Sequence, residues 1–102
     1  EEGMWGLLWA LRESVRRRRV GPDETVVRAG QRRCGLQVMV GGASFVHQGS
    51  DNIHPCRPHT VFGLGPLLYS GKMGFDVTAG PAGAELLCVD ERSVFAYLER
   101  ED

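Results

Sequence analysis

The sequence lacks the features that mark several large classes of protein. Its 102 residues carry a formal net charge of −1, with 25% charged and 42% hydrophobic residues. A near-neutral charge argues against a nucleic-acid-binding domain, and this hydrophobic fraction is too high for a disordered tail. No apolar run approaches the roughly 20 residues that a membrane-spanning helix needs. The chain is long enough to bury a core of its own, which predicts one ordinary folded domain.

Cysteine is scarce, and no leader segment is recognisable. The three cysteines, Cys34, Cys56 and Cys88, are an odd number at wide spacing, which is not the pattern of a disulfide framework. The apolar stretch 4–11 follows two glutamates and precedes no small-residue cleavage site, so it does not resemble a signal peptide. These features predict a reduced domain of the cell interior, located in the cytoplasm. The abrupt ends of the sequence predict one module of a longer protein.

The first segment, residues 1–20, has the hydrophobic period of a helix. Trp5 and Trp9 fall on its apolar side and are expected to be packing anchors. Four successive arginines, 16–19, follow at the carboxyl end, where cations suit the helix dipole. On a helix these arginines point in different directions. We therefore interpret them as a solvated helix end or an interdomain contact, in preference to a site for an anionic polymer.

The remaining chain predicts a β domain followed by a second helix. Residues 21–89 contain about six short strands separated by glycine-rich turns, two of which are expected at 41–42 and 81–83. Asp90 is a good N-cap for a final helix within residues 90–102. The apolar face of that helix is expected to contain Val94, Phe95 and Leu98. The order of helix, short strands and helix favours a small β-barrel or β-roll.

Four segments, in this order and spacing, resemble the cyclic nucleotide-binding domain family. Residues 22–30 (PDETVVRAG) resemble its opening P-G-E-x-[IV]-x-x-x-G strand, and residues 36–46 and 86–98 resemble a later hairpin and the last strand and helix. Residues 62–79 (FGLGPLLYSGKMGFDVTA) align without a gap on its phosphate-binding cassette, F-G-E-x-[AS]-L-x-x-x-x-x-R-x-A-x-V-x-A. The resemblance implies a jelly-roll-like β-roll. It also implies a site where backbone N–H groups, an arginine and a glutamate bind a cyclic nucleotide.

The cassette keeps the family's backbone frame but has neither of its charged side chains. Phe62 and Gly63 match the pattern, whereas Leu64 occupies the glutamate position and Met73 the arginine position. Neither side chain can hydrogen-bond a ribose or a phosphate. Each lost charged bond is worth roughly 1.5–3 kcal/mol, so the two together weaken binding on the order of 100- to 10,000-fold. We therefore expect cyclic nucleotide binding to be weak or absent.

Two further residues in the cassette depart from the family. Phe75 replaces a small residue and crowds the ligand space, and Asp76 is expected to repel a phosphate. The resemblance gives six candidate ligand-binding positions: Phe62, Gly63, Leu64, Gly65, Met73 and Gly74. The resulting hypothesis is a non-catalytic regulatory module of a larger intracellular signalling protein. The alternative is a working receptor for a small molecule or a cyclic nucleotide, in which Leu64, Met73 and Phe75 line an altered, more apolar pocket.

The cassette also resembles the degenerate domain of PDZ-containing Rap guanine-nucleotide exchange factors. That domain likewise has Phe-Gly followed by an apolar residue, a proline two places on, here Pro66, and methionine in the arginine position. This resemblance implies a parent protein in signal transduction, with other domains of the same chain or a signalling protein as partners. Degenerate cassettes also occur in neuropathy-target-esterase-like phospholipases and in ciliary proteins.

Neither a metal site nor an enzyme is predicted. His47, His54, Cys56 and His59 are potential zinc ligands, but their spacing matches no common zinc signature and two prolines stiffen the loop. No G-x-S-x-G motif and no Walker-type loop are present. We therefore expect no catalytic residue, no metal and no cofactor.

Overall fold

The domain is mainly β, with one helix at each end, as the sequence predicts. The computed structural model describes residues 2–32, 34–48, 52–64, 67 and 71–100. Its elements in chain order are α1 (Glu2–Ala10), β1 (Arg16–Val20), β2 (Thr25–Val27), β3 (Leu36–His47), β4 (Ile53–Pro55), β5 (Val61–Phe62), β6 (Asp76–Val89) and α2 (Glu91–Arg100). All strand pairs are antiparallel, in the order β1-β6-β3-β4, while β2 pairs with β6 and β5 with β3.

Two long strands form the centre of the sheet, where the sequence predicts turns. The expected hairpin at Gly41-Gly42 is wrong, because β3 continues through these glycines and pairs with β6 on both sides of them. The expected turn at 81–83 is wrong as well, because it lies inside β6. Gly42 and Gly83 both have positive φ, and a Cβ on Gly42 would overlap the carbonyl oxygen of Gly83. The register shifts on either side of Gly42, so the glycines make bulges in a paired ribbon rather than end it.

The N-terminal helix is shorter than predicted. It ends at Ala10, and Arg16–Val20 form strand β1 instead of a helix end, pairing residue by residue with β6. The ladder supplies hydrogen bonds along the whole run, and Arg17 also forms a salt bridge of 2.7 Å with Glu85 across the strands. A local periodicity argument does not include this pairing, since the partner lies about 70 residues later.

The tryptophans of α1 are not packing anchors. Trp9 is 70% exposed and Trp5 is also exposed, whereas Leu8 is buried. The buried side of α1 is instead formed by Met4, Leu7 and Leu8, with Leu11 beyond the helix end. These positions also have helical spacing, so the helix itself was predictable although its buried face was assigned wrongly.

The core consists of two clusters on opposite faces of the β3–β6 pair. We call the first the inner cluster: Val20, Val26, Val27, Met39, Phe62, Met73, Val77, Ala79, Ala84 and Leu86. The second, the helix cluster, contains Leu8, Leu36, Val38, Leu67, Val89 and Val94 and lies under the two helices. On β3, Leu36 and Val38 lie in the helix cluster and Met39 lies in the inner cluster, which agrees with the two-residue period of a strand.

The C-terminal helix begins where the sequence predicts. The Ser93 N–H donates to Asp90 Oδ1 at 3.0 Å, which confirms the N-cap. Val94 is buried, but Phe95 and Leu98 remain exposed, so only part of the predicted apolar face is covered. Residues 101 and 102 lie outside the described part of the chain. None of the helices described here is long and apolar enough to cross a membrane.

Candidate functional site

The first part of the cassette-like segment brings the backbone of Gly63 close to that of Gly35. Phe62 is buried at the end of β5, and Gly63 follows with a φ of +94°. A Cβ on Gly63 would overlap the carbonyl oxygen of Gly35, so only glycine fits here without a shift. The Gly63 carbonyl accepts a hydrogen bond of 3.0 Å from the N–H of Leu67, which is buried. Gly65 lies outside the described residues.

The residue in the glutamate position does not line a closed pocket. Leu64 directly follows Gly63, and its side chain is 41% exposed. A leucine at this point offers no acceptor to a ligand hydroxyl. The structure therefore places an exposed apolar side chain directly after the positive-φ turn at Gly63.

The residue in the arginine position is part of the hydrophobic core. Met73 is 4% exposed, and its side chain packs in the inner cluster. Its backbone is held at both ends, because its N–H donates to Gln31 O at 2.9 Å and its carbonyl accepts from Gly30 N at 2.7 Å. These two bonds fix the second half of the cassette against the turn after β2. Methionine suits such a position because its flexible thioether fills irregular apolar space.

The residues that follow Met73 have structural contacts. Gly74 is exposed, and a Cβ at this position would meet nothing within 4 Å. Phe75 is partly buried against the inner cluster. Asp76 Oδ1 accepts a hydrogen bond of 2.6 Å from the N–H of Ala29, so this carboxylate holds the end of β2.

The four candidate metal ligands have separate partners. His47 Nε2 lies 2.8 Å from Thr78 Oγ1, and the ring of His59 contacts Trp5 edge-on, with 5.1 Å between the centroids. His54 is exposed on β4, and the N–H of Cys56 donates to Ser44 O at 2.9 Å. In the part of the chain that the structure describes, no group of three or more metal-ligating side chains comes together.

A polar cavity that the sequence did not predict lies next to the inner cluster. Arg18 Nη1 donates to Gln37 Oε1 at 2.7 Å and to the carbonyl of Val26 at 3.0 Å. Gln37 is 3% exposed, and its Oε1 also lies 3.6 Å from the Sγ of Cys88. These groups border an arginine cavity of about 450 Å³, which is lined by Arg18, Thr25, Val26, Arg28, Gln31, Cys34, Gln37 and Cys88. The two-residue spacing of Arg18 and Val20 could have predicted that both face the core from a strand. The assignment of residues 1–20 to a helix excluded that prediction.

The two thiols of the arginine cavity are held in their neutral form. Burial raises the pKa of Cys34 above its ordinary value, although a backbone hydrogen bond opposes the shift. Burial also raises the pKa of Cys88, and the positive charge of Arg18 partly offsets this rise. Because the thiolate is the reactive form, neither cysteine has the environment of an activated nucleophile.

No family model matches the chain, and no curated protein is significantly similar to it in sequence. The fold is nevertheless similar to solved structures. The sensor domain of the transcriptional regulator DNR from Pseudomonas aeruginosa superposes with a TM-score of 0.74 at 12% identity over 92% of this chain. The N-terminal domain of a transcriptional regulator from Streptomyces coelicolor A3(2) gives 0.71 at 19% identity, again over 92%. A cyclic nucleotide-binding-like protein from Brucella abortus gives 0.71 at 18% identity over 92%.

These similarities confirm the predicted fold class, a cyclic nucleotide-binding-type β-roll with flanking helices. The chain spans 64% of the DNR sensor domain, which is less than two thirds, and 68% and 84% of the other two structures. Identities below 20% identify the fold alone. These three structures give no support to a guanine-nucleotide exchange factor as the parent protein, so that resemblance stays a prediction.

Proposed function

We propose that this chain is a non-catalytic regulatory module of a larger intracellular signalling protein, with a phosphate cassette that no longer binds cyclic AMP or cyclic GMP strongly. The observation that carries the proposal is the burial of Met73 in the inner cluster. The side chain in the arginine position is not only uncharged but also fills space in the core. Loss of the donor and loss of space both act against a cyclic phosphate.

The regulatory part of the proposal is supported by the kind of protein that shares this fold. Two of the similar structures are a sensor domain and an N-terminal domain of transcriptional regulators. A module of this kind acts on neighbouring domains through its surface. Exposed apolar side chains are present on both flanking helices of this chain: Trp5, Trp9, Phe95 and Leu98. Such side chains suit contacts with other domains of the same chain or with a signalling partner.

The alternative of an altered apolar receptor pocket has less support. It requires Leu64, Met73 and Phe75 to line a shared ligand space. Instead, Met73 and Phe75 pack against the inner cluster, and Leu64 is exposed. These side chains therefore act as core and surface rather than as the walls of one pocket.

Titration of the 102-residue chain with cyclic AMP and with cyclic GMP tests the proposal. Calorimetry should detect no binding at low micromolar concentration. In a parallel ¹H–¹⁵N spectrum, the amide signals of Gly63 and Gly74 should remain in place as either nucleotide is added. Low-micromolar binding of either nucleotide, with movement of these two signals, would contradict the proposal.

A further inference from the structure

Arg18 lies on the inner face of the sheet, although its neighbours in the arginine run do not. In the β1–β6 register it is opposite Leu86, and Val20 is opposite Ala84. Directly opposed residues of an antiparallel pair have their side chains on the same face, and both Leu86 and Ala84 belong to the inner cluster. Arg17 and Arg19 alternate to the other face. The strand therefore directs Arg16 and Arg18 to the inner face, and of these two Arg18 is the half-buried one, whereas Arg16 is exposed.

The charge of Arg18 has no carboxylate bonded to it within the described residues. Its two hydrogen bonds are part-buried and go to neutral acceptors of buried residues, Gln37 Oε1 and the Val26 carbonyl. Arg17, one residue earlier, forms a salt bridge with Glu85. A half-buried guanidinium that contacts only neutral groups retains donors and an uncompensated charge, which favour an anion.

The cavity beside Arg18 has the volume of a small-ligand site and a mainly polar lining. Its volume of about 450 Å³ lies within the usual range for such sites, about 300–1,000 Å³. Two arginines, Arg18 and Arg28, line it together with the hydroxyl of Thr25 and the amide groups of Gln31 and Gln37. None of the eight lining residues that the structure describes is acidic, and neither Leu64 nor Met73 is among them. Among the described residues, the cavity thus differs from the cassette positions Leu64 and Met73 in its lining and is opposite to them in polarity.

We propose that the arginine cavity binds a small phosphate ester, with Arg18 as the residue that contacts the phosphate oxygens and Arg28 as a second cation at the exposed edge. A phosphate presents several strong acceptors at once, which matches a planar guanidinium with hydroxyl and amide donors beside it. Gln37 acts as a positioning residue, since its Oε1 holds the Arg18 guanidinium at 2.7 Å. This proposal goes beyond the regulatory role above and does not depend on the state of the cassette.

Two variants on one strand test the role of Arg18. Arg18→Gln removes the inner cation, and Arg19→Gln makes the same charge change one residue later on the other face. The ¹H–¹⁵N spectrum would be recorded during titration with inorganic phosphate, glycerol phosphate and adenosine 5′-monophosphate at low salt. The largest shifts should fall on Thr25, Gln31 and Gln37. Arg18→Gln should weaken binding of the tightest of these probes at least about 10-fold, and Arg19→Gln by less than about 2-fold.

Arg28→Gln provides a second test if Arg18→Gln does not fold. Arg28 is exposed, so its replacement leaves the core intact, and it should also weaken phosphate-ester binding measurably. Citrate, as a carboxylate of comparable charge, should bind more weakly than the phosphate esters. Equal losses in Arg18→Gln and Arg19→Gln, preference for citrate, or no localised shift at tens of millimolar phosphate would each overturn the proposal. Cyclic AMP binding at Gly63 and Gly74 would instead contradict the proposed function and leave the Arg18 result standing.

Discussion

The cassette-like segment and the arginine cavity border the same inner cluster, but the first presents an uncharged side chain there and the second a charged one. In the cassette-like segment, Gly63 has a positive φ and the residue in the arginine position, Met73, is packed as core. At the arginine cavity, a charged side chain that no cassette motif predicts is held by buried Gln37. An uncharged side chain in the arginine position therefore does not make the whole interior of the roll apolar.

The contrast between the two regions depends on Met73 being part of the core, and Met73→Arg tests this directly. Burying an unpaired guanidinium in the inner cluster should lower the free energy of unfolding by about 3 kcal/mol or more. The volume-conserving control, Met73→Leu, should cost less than about 1.5 kcal/mol. Urea unfolding of the two variants measures the difference. Equal stability of the two would mean that this side chain can leave the core, which contradicts a cassette closed by packing.

Alanine at each of two glycines in the cassette-like segment tests whether the close backbone approach at Gly63 requires glycine. Gly63→Ala should destabilise the domain by about 2 kcal/mol or more, because a positive φ and the Gly35 carbonyl both oppose a Cβ. Gly74→Ala should change the free energy of unfolding by less than about 0.5 kcal/mol, since its Cβ meets nothing within 4 Å. Thermal unfolding of both variants provides the check. A tolerated Gly63→Ala would show that the close approach at Gly35 is not required.

At the arginine cavity, the charged side chain depends on the hydrogen bond between Arg18 and Gln37. Arg18→Met should cost about 1–2 kcal/mol, because the nearly buried Oε1 of Gln37 loses its charged donor. The double variant Arg18→Met/Gln37→Leu should lose less unfolding free energy than the two single variants together. A double-mutant cycle should give this difference as a coupling of about 1 kcal/mol. Arg19→Met, on the other face, serves as the control and should be nearly neutral. Strict additivity would indicate that the two side chains do not interact in solution.

The smallest expected effect is electrostatic and concerns the thiol of Cys88. Its pKa is raised by burial and lowered in part by Arg18, so removal of that cation should raise the pKa further. The pH profile of reaction with a disulfide reagent should therefore move to higher pH in Arg18→Gln. Cys34 and Cys56 would be replaced by serine in both proteins so that only one thiol reacts. An unchanged profile would mean that Arg18 does not lie beside Cys88.

Local sequence patterns predicted what depends on nearby residues. The N-cap at Asp90 could be identified because capping needs only the next few residues. The mainly β class followed from repeated strand and turn signals. The cassette motif located Met73 in the arginine position, although not its burial.

Only the tertiary structure decided which strands continue, which side chains face the core and where a charge remains inside. Gly41-Gly42 has the composition of a turn, yet pairing with β6 on both sides makes it a bulge. The arginine run has the charge expected at a helix end, but its pairing partners on β6 lie about 70 residues later, and that pairing made it a strand. Alternation along that strand then placed Arg18 inside, since opposed residues share a face. Such pairings join distant parts of the chain, so local periodicity contains no information about them.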